Sequence, residues 1–395
     1  MRVFYAEANY GQDEIDAALE VLKNSRLALM DGPAVKRLQK DVARLFDKTH
    51  GLMTNSGSSA NLLATIGMNL PKGSKVVTPA LTFSTTVSPL VQMGLVPVFV
   101  DVDPDTLQMD PAQLPKLDLE GVRAICVPNL IGNVADWAAI RSFADEHDLL
   151  VFEDSADTIG YTIDGQIKNY SDVATTSFYA SHVVTGAGCG GMVCFNDEAM
   201  LNRARSFRGW GRRSSQYGET EEYERRFSCQ VDGMDYDDKY VFDDLGYNLI
   251  ASDVSAAFAA VQVQKLSENV KQRWENFNYL KSALAGNSNY RTFDVYDGVY
   301  TGWLAFPIMV SGALEGRRKD LQIFLEQNGV QTRTVFTGNI TRQPVAAKFT
   351  WDAPVPLTHS DKIMANGVLL GCHNQMTKEK MDYVLGLLAQ FSDHA

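Results

Sequence analysis

Three short stretches of this chain hold residue types that could do chemistry together. The first is Thr54-Asn55-Ser56-Gly57-Ser58-Ser59-Ala60-Asn61, small and hydroxyl-bearing residues that open a helical pattern. A helix start of this kind offers backbone N–H groups to a phosphate, and it also reads as a simple N-cap and turn. The second is Phe152-Glu153-Asp154-Ser155-Ala156-Asp157, at the end of an apolar run. A carboxylate emerging there can pair with a protonated ring nitrogen, bind a metal or merely cap the strand end. The third is Ser177-Phe178-Tyr179-Ala180-Ser181-His182, followed by Gly186-Ala187-Gly188-Cys189-Gly190-Gly191. A lone histidine is usually structural or superficial. This one stands just past a strand end and before glycines that let the backbone approach a ligand closely.

The elements that must position these stretches alternate. Strand candidates are Lys75–Pro79, Val96–Val102, Ala124–Val127, Leu149–Asp154, Thr175–Tyr179 and Gly191–Phe195. Helical patterns lie between them at Ala60–Leu70, Thr86–Met93, Trp137–Glu146 and Glu198–Arg208. The alternation predicts an α/β fold, with a mostly parallel sheet covered on both faces. A polar excursion from Arg212 to Asp244 reads as a long surface loop with aromatics interspersed. Next comes a helical pattern from Asp253 to Ala285, which if unbroken would span roughly 50 Å and leave one domain for another. Strand candidates Tyr300–Val310 and Gln331–Val335, with helices Arg317–Asn328 and Lys378–Gln390, suggest a small α+β domain. The expected division is therefore 1–265, an N-terminal arm and large domain, and 266–395, the small domain. No repeat or low-complexity tract interrupts it.

Composition narrows the function classes. Across 395 residues the chain is 45% hydrophobic and 21% charged, the balance of a globular protein. A net charge of −12 with no cluster of lysines or arginines argues against nucleic-acid binding. No apolar run reaches membrane-spanning length, because even Leu95–Val100 is followed at once by Asp101. The first residues lack the apolar segment of a secretory signal, and the five cysteines are an odd number, which suggests reduced thiols and a cytoplasmic location.

In this order and spacing the three stretches resemble the aspartate-aminotransferase fold (PLP-dependent transferase fold type I), and within it the DegT/DnrJ/EryC1/StrS sugar aminotransferase family. Further likeness lies in Gly32-Pro33, Pro79 to Thr86, Phe99-Val100-Asp101-Val102-Asp103 and Gly246-Tyr247-Asn248. The resemblance implies pyridoxal or pyridoxamine 5′-phosphate as cofactor. Asp154 would pair with its pyridine nitrogen and Asp157, where aminotransferases usually carry Gln, would approach its hydroxyl. Gly57, Ser58 and Ser177 would hold its phosphate and Phe83 would cover its ring. Asn248 would reach the phosphate of the partner subunit, implying a homodimer with shared active sites.

The family's Schiff-base lysine falls at His182, and no lysine occurs between Lys168 and Lys239. An imidazole cannot make that covalent link, yet it can shuttle a proton near neutral pH. The exchange marks the 3-dehydratase branch of the family, and Asn129 to Asn133, Arg208 to Arg212 and Thr337 to Pro344 are similar to that branch too. It implies C3-dehydration of a nucleotide-linked 4-keto-6-deoxy hexose, with His182 as acid and base and L-glutamate recharging the cofactor. Arg208, Arg212, Arg333 and Arg342 are candidates for the substrate diphosphate, and equally for surface or inter-domain salt bridges. Cys189 stands where the family usually has Glu and is assigned no role. No metal site is expected, since the cysteines are not grouped as an iron–sulfur cluster requires. The alternatives are a sugar aminotransferase with an unusual base, a non-catalytic cofactor-binding homologue and a cofactor-independent binding protein.

Overall fold

The computed structural model describes residues 1–216 and 222–393, so part of the polar excursion, 217–221, lies outside the described residues. Helices α1 (Gln12–Asn24) and α2 (Pro33–Arg44) precede strand β1 (His50–Thr54) and helix α3 (Gly57–Met68). Strand–helix alternation then runs through β2 (Lys75–Pro79), α4 (Ser84–Gln92), β3 (Val96–Val100), β4 (Val122–Pro128), α5 (Trp137–Glu146) and β5 (Leu150–Ser155). After the short β6 (Thr162–Ile163) come β7 (Val173–Ser177), β8 (Gly191–Phe195) and α6 (Glu198–Arg208). Seven of these strands form one sheet in the order β1-β8-β7-β5-β4-β2-β3. β8 runs antiparallel to both β1 and β7, and the remaining pairings are parallel. The carboxyl ends of β1, β2, β4, β5 and β7 therefore share one edge with the amino end of β8. That edge is where all three chemistry-bearing stretches emerge.

The sheet strands are buried on both faces, as their continuous apolar runs require. Leu63, Phe152, Val193 and Phe195 pack on one side, and Val77, Ile125, Trp137 and Val151 on the other. β1 escaped the sequence reading, because His50 and Gly51 make its five residues look unlike a strand. Gly51 is required there, since a Cβ would lie 2.3 Å from the carbonyl oxygen of Gln39 in α2.

The polar excursion is structured where it is described. It holds α7 (Tyr223–Arg226) and a hairpin of β9 (Cys229–Val231) and β10 (Met234–Tyr236), braced by ion pairs Arg226–Asp237 and Arg213–Asp243. The single long helix expected from Asp253 is two helices, α8 (Asp253–Gln264) and α9 (Leu266–Ala283), separated at Lys265 with ψ of 6°. At this break Lys265 Nζ meets the buried carboxylate of Glu14 at 3.0 and 3.1 Å.

Beyond α9 a second sheet orders β11 (Tyr290–Arg291), β13 (Ala305–Val310), β15 (Gly367–Gly371) and β14 (Arg333–Thr334). Helices α10 (Arg318–Gln327), α11 (Thr358–Asn366) and α12 (Lys378–Asp393) accompany it, and β12 (Val299–Tyr300) pairs back with β6. The chain's first residues join this second sheet's core, where Val3 donates to Gly329 O and accepts from Gln331 N. Leu130, Ile131 and Trp303 share that core, so it abuts the site edge of the large sheet. Among the described residues no helix is long and apolar enough to cross a membrane.

Candidate active site

At the shared edge lies a cavity of about 650 Å³. Its floor is Asp154, at the end of β5, 5% exposed. Asn61 Nδ2 and Thr86 Oγ1 donate to its Oδ2 at 2.8 and 2.7 Å, and the Ala156 amide donates to its Oδ1 at 3.2 Å. Burial still pushes this carboxyl above its ordinary range, against the lowering effect of those donors. A carboxylate so placed gains most from a cation brought in by a ligand, and a protonated ring nitrogen is one.

One wall is the start of α3. The Ser59 amide is capped by Ser56 Oγ at 3.1 Å and the Ala60 amide by Ser56 O at 3.1 Å, which leaves the Gly57 and Ser58 amides for an outside acceptor. Ser177 stands opposite, at the end of β7. A Cβ on Gly57 would sit 2.6 Å from Ser177 Cβ and 2.9 Å from its Oγ, so only glycine keeps this cradle open. Two amides at a positive helix end, with a serine hydroxyl facing them, suit a phosphate.

His182 lies between these features on the loop joining β7 to β8. That loop is pinned at its base, where the Phe178 amide donates to Gly190 O and the Gly186 amide to Phe178 O, both at 2.9 Å. The imidazole edge meets the Tyr179 ring at a centroid distance of 5.7 Å, and Nδ1 is buried without a hydrogen-bond partner among the described residues. Burial lowers the proton affinity of His182 to a pKa of about 4, so the ring is neutral near pH 7. Asp157 faces it, Oδ1 to Nε2 at 3.9 Å, while the Ile131 amide donates to Asp157 Oδ2 at 3.1 Å. Burial pushes Asp157 up to about 7; the Ile131 donor opposes this and the neighbouring Asp154 charge adds to it.

Phe83, 49% exposed, meets Phe336 edge to face at 5.8 Å, and the pair forms an aromatic wall of the cavity. Tyr5, Leu130 and Leu304 line it as well. Gly57, Ser58, Phe83, Asp154, Asp157, Ser177 and His182, seven residues picked out from sequence, are thus brought into one cavity. The residues that sequence reasoning missed are Tyr5, Asn61, Thr86, Tyr179, Leu304 and Phe336. Asn61, Thr86 and Tyr179 stood inside quoted motifs, but nothing local linked Tyr5, Leu304 or Phe336 to the site.

The other candidates lie elsewhere. Asn248 is exposed and lines a smaller cavity of about 300 Å³, which shares Asn55, Cys189 and Gly190 with the first. Cys189 Sγ lies 3.1 Å from Ser255 Oγ there. Arg208 is not available to a ligand: it is buried and grips Asp31 through Nη1 and Nη2 at 3.0 and 2.8 Å, with Nη1 also on Met53 O. Arg342 is held by Asp361 at 3.0 and 2.7 Å, and Arg212 stacks over Trp210 at 4.3 Å. Arg333 lies 5.2 Å over the ring of Tyr5, a cavity-lining residue, with no carboxylate partner among the described residues. Among the described residues no group of three or more His, Cys, Asp or Glu is placed to hold a metal ion.

Comparison with known proteins identifies the family and the fold. The chain is 34% identical over 366 residues to lipopolysaccharide biosynthesis protein RfbH of Salmonella typhimurium, covering 89% of this chain and 84% of that one. It is 33% identical over 389 residues to dTDP-4-dehydro-2,6-dideoxy-D-glucose 3-dehydratase of Saccharopolyspora spinosa, covering 95% and 83%. Among solved structures, E. coli GDP-4-keto-6-deoxy-D-mannose-3-dehydratase with bound hydrated PLP superposes with a TM-score of 0.88 at 24% identity, covering 98% of this chain and 99% of that one. A family profile matches residues 9–389, and the chain belongs to the DegT/DnrJ/EryC1/StrS aminotransferase family.

Proposed function

We propose that this protein catalyses the PLP/PMP-dependent C3-dehydration of a nucleotide-linked 4-keto-6-deoxy hexose, with His182 as acid and base. The observation that carries the reading is that His182 lines the cavity and, among the described residues, no lysine does. Transamination through a covalently held cofactor needs that lysine. The Saccharopolyspora relative, whose name states a 3-dehydratase, supports the same reading.

When bound as pyridoxamine phosphate, the cofactor supplies an amine for the C4 ketone and a ring that accepts electrons. The chain's own residues do the rest. Asp154 holds the ring nitrogen protonated, and Gly57, Ser58 and Ser177 hold the phosphate. His182, kept neutral by burial, would accept the proton lost from the carbon that carries the cofactor's amine and pass it to the hydroxyl leaving C3, which departs as water. Phe83 and Phe336 exclude water from the ring. Arg333 is the arginine placed best to meet a diphosphate. Asn248, outside this chain's main cavity, completes the site of a partner subunit in a homodimer, and L-glutamate restores the amine.

The purified enzyme, charged with pyridoxamine phosphate, is given GDP-, CDP- and dTDP-linked 4-keto-6-deoxy hexoses in turn. The expected products are a 3-deoxy sugar and ammonia, and absorbance should report the recharging of the cofactor by glutamate. Borohydride treatment of the PLP form should leave the mass of the denatured chain unchanged. An amino sugar formed without ammonia, or a stoichiometric lysine adduct, overturns the proposal in favour of aminotransfer.

A further inference from the structure

Asp157, which the family resemblance sets near the cofactor hydroxyl, makes a second contact in the cavity that the dehydration scheme does not use. Asp157 and His182 retain 15% and 16% side-chain exposure, both line the cavity, and they face each other at 3.9 Å. That is ion-pair range and about 1 Å beyond a hydrogen bond. The approach is set from behind. The Ile131 amide holds Asp157 Oδ2 at 3.1 Å and leaves Oδ1 for the imidazole. Ile131 does this at φ +63°, a conformation that β-branched residues rarely adopt. The turn is locked because Ile131 O accepts from the Leu304 amide at 2.9 Å and Gly132 O from Thr301 Oγ1 at 2.6 Å. Gly132 has φ +87°, and a Cβ there would meet the Leu304 nitrogen at 2.4 Å. A turn held this firmly fixes its amide, and with it one oxygen of a cavity carboxyl.

We infer that Asp157 is the positioning residue for His182, and that the two take up a proton as a unit. The inference rests on the dehydration reading for its purpose, since a base that must accept and return a proton needs somewhere to keep it. A protonated imidazole in this wall is costly by itself, as its lowered proton affinity reflects. With Asp157 ionised beside it, the pair carries one negative charge before the transfer and none after it. The proton taken by His182 stays on the imidazole, its charge offset by Asp157 Oδ1 at 3.9 Å, and is given back from there. No electrons move within the pair. A glutamine at 157 could orient the ring but could not neutralise it. Asp154, Tyr5 and the buried Arg273 are the other charged or titratable groups acting on these two residues.

The test is histidine NMR on protein free of cofactor and substrate, with the His182 signal identified by its loss in His182→Asn. Because Asp157 titrates at about 7, the wild-type His182 signal should move through a step near that pH. Asp157→Asn should abolish the step and lower kcat for dehydration by about 10–100-fold, with KM changed by less than about threefold. Asp157→Glu should keep a step at a displaced pH, and it decides the matter alone if the Asn variant does not fold. A wild-type signal with no step near neutrality, or a step unchanged in either variant, overturns the inference. Since the titration needs neither cofactor nor sugar, it stands or falls separately from the dehydration assay.

Discussion

Replacing Gly57 with alanine should cripple phosphate binding while leaving the fold in place. The added Cβ would lie 2.6 Å from Ser177 Cβ and 2.9 Å from Ser177 Oγ, where carbon atoms ordinarily stay about 3.5–4 Å apart. Neither neighbour is the loose end of a long side chain. Ser177 closes β7 inside the large sheet and Gly57 begins α3, so relief requires a backbone shift that distorts the cradle, because turning the hydroxyl moves Oγ but not Cβ. Overpacking of this sort costs about 1–3 kcal/mol, and because the ligand-free cradle relaxes by shifting, that cost opposes binding when the phosphate pulls the cradle back into shape. At about 1.4 kcal/mol per tenfold, PLP affinity should fall by about 5–150-fold. The assay is titration of cofactor-free protein with PLP, followed by absorbance, in parallel with pyridoxal, which lacks the phosphate. The loss should be confined to PLP. Gly386→Ala is the control, because its added Cβ meets no atom within 4 Å. PLP binding to Gly57→Ala within about twofold of wild type would refute the cradle as described.

Three further outcomes are expected. Asp157→Asn and His182→Asn should tilt the pH dependence of ligand-free stability in opposite directions. Asp157, raised to about 7, binds a proton when folded that the unfolded chain releases near its ordinary value, so its contribution favours folding at low pH and is lost as pH rises through that window. His182, lowered to about 4, is neutral when folded while the unfolded imidazole protonates, so its contribution is present above about 6.5 and is lost as pH falls towards 4. Melting curves between about pH 4.5 and 7.5 should therefore rise more steeply with pH in Asp157→Asn and less steeply in His182→Asn than in wild type; equal slopes would count against both assignments. Arg208→Ala should lower stability by about 2–3 kcal/mol in denaturant melts, by leaving Asp31 and Met53 O without their donor, and should leave substrate KM unchanged. Mixing an Asn248→Ala chain with a His182→Asn chain should restore activity, since a hybrid dimer holds one intact site; no recovery despite subunit exchange would show each site to be self-contained.

The amino-acid sequence by itself determined the alternating architecture of the large sheet and most of the cavity's polar residues. Strands buried on both faces read as unbroken apolar runs, and a site at strand ends draws its residues from the few positions after each run. That is why the stretches holding Gly57, Asp154, Asp157, Ser177 and His182 stood out by position, while the role of each residue, and the missing lysine, came from the resemblance to the family. Tertiary structure alone decided what lies far apart in the chain. Tyr5, Leu304 and Phe336 reach the cavity because the first residues and the second sheet fold onto the site edge, and no local pattern encodes that approach. The same distance hid the use of Arg208, whose partner Asp31 is 177 positions away, and the pairing of Lys265 with Glu14, 251 positions away. Local periodicity reports which face of an element is apolar. Which partner satisfies a buried charge depends on a contact that exists only after folding, so the arginines were the least legible part of the site and the strand-end motifs the most.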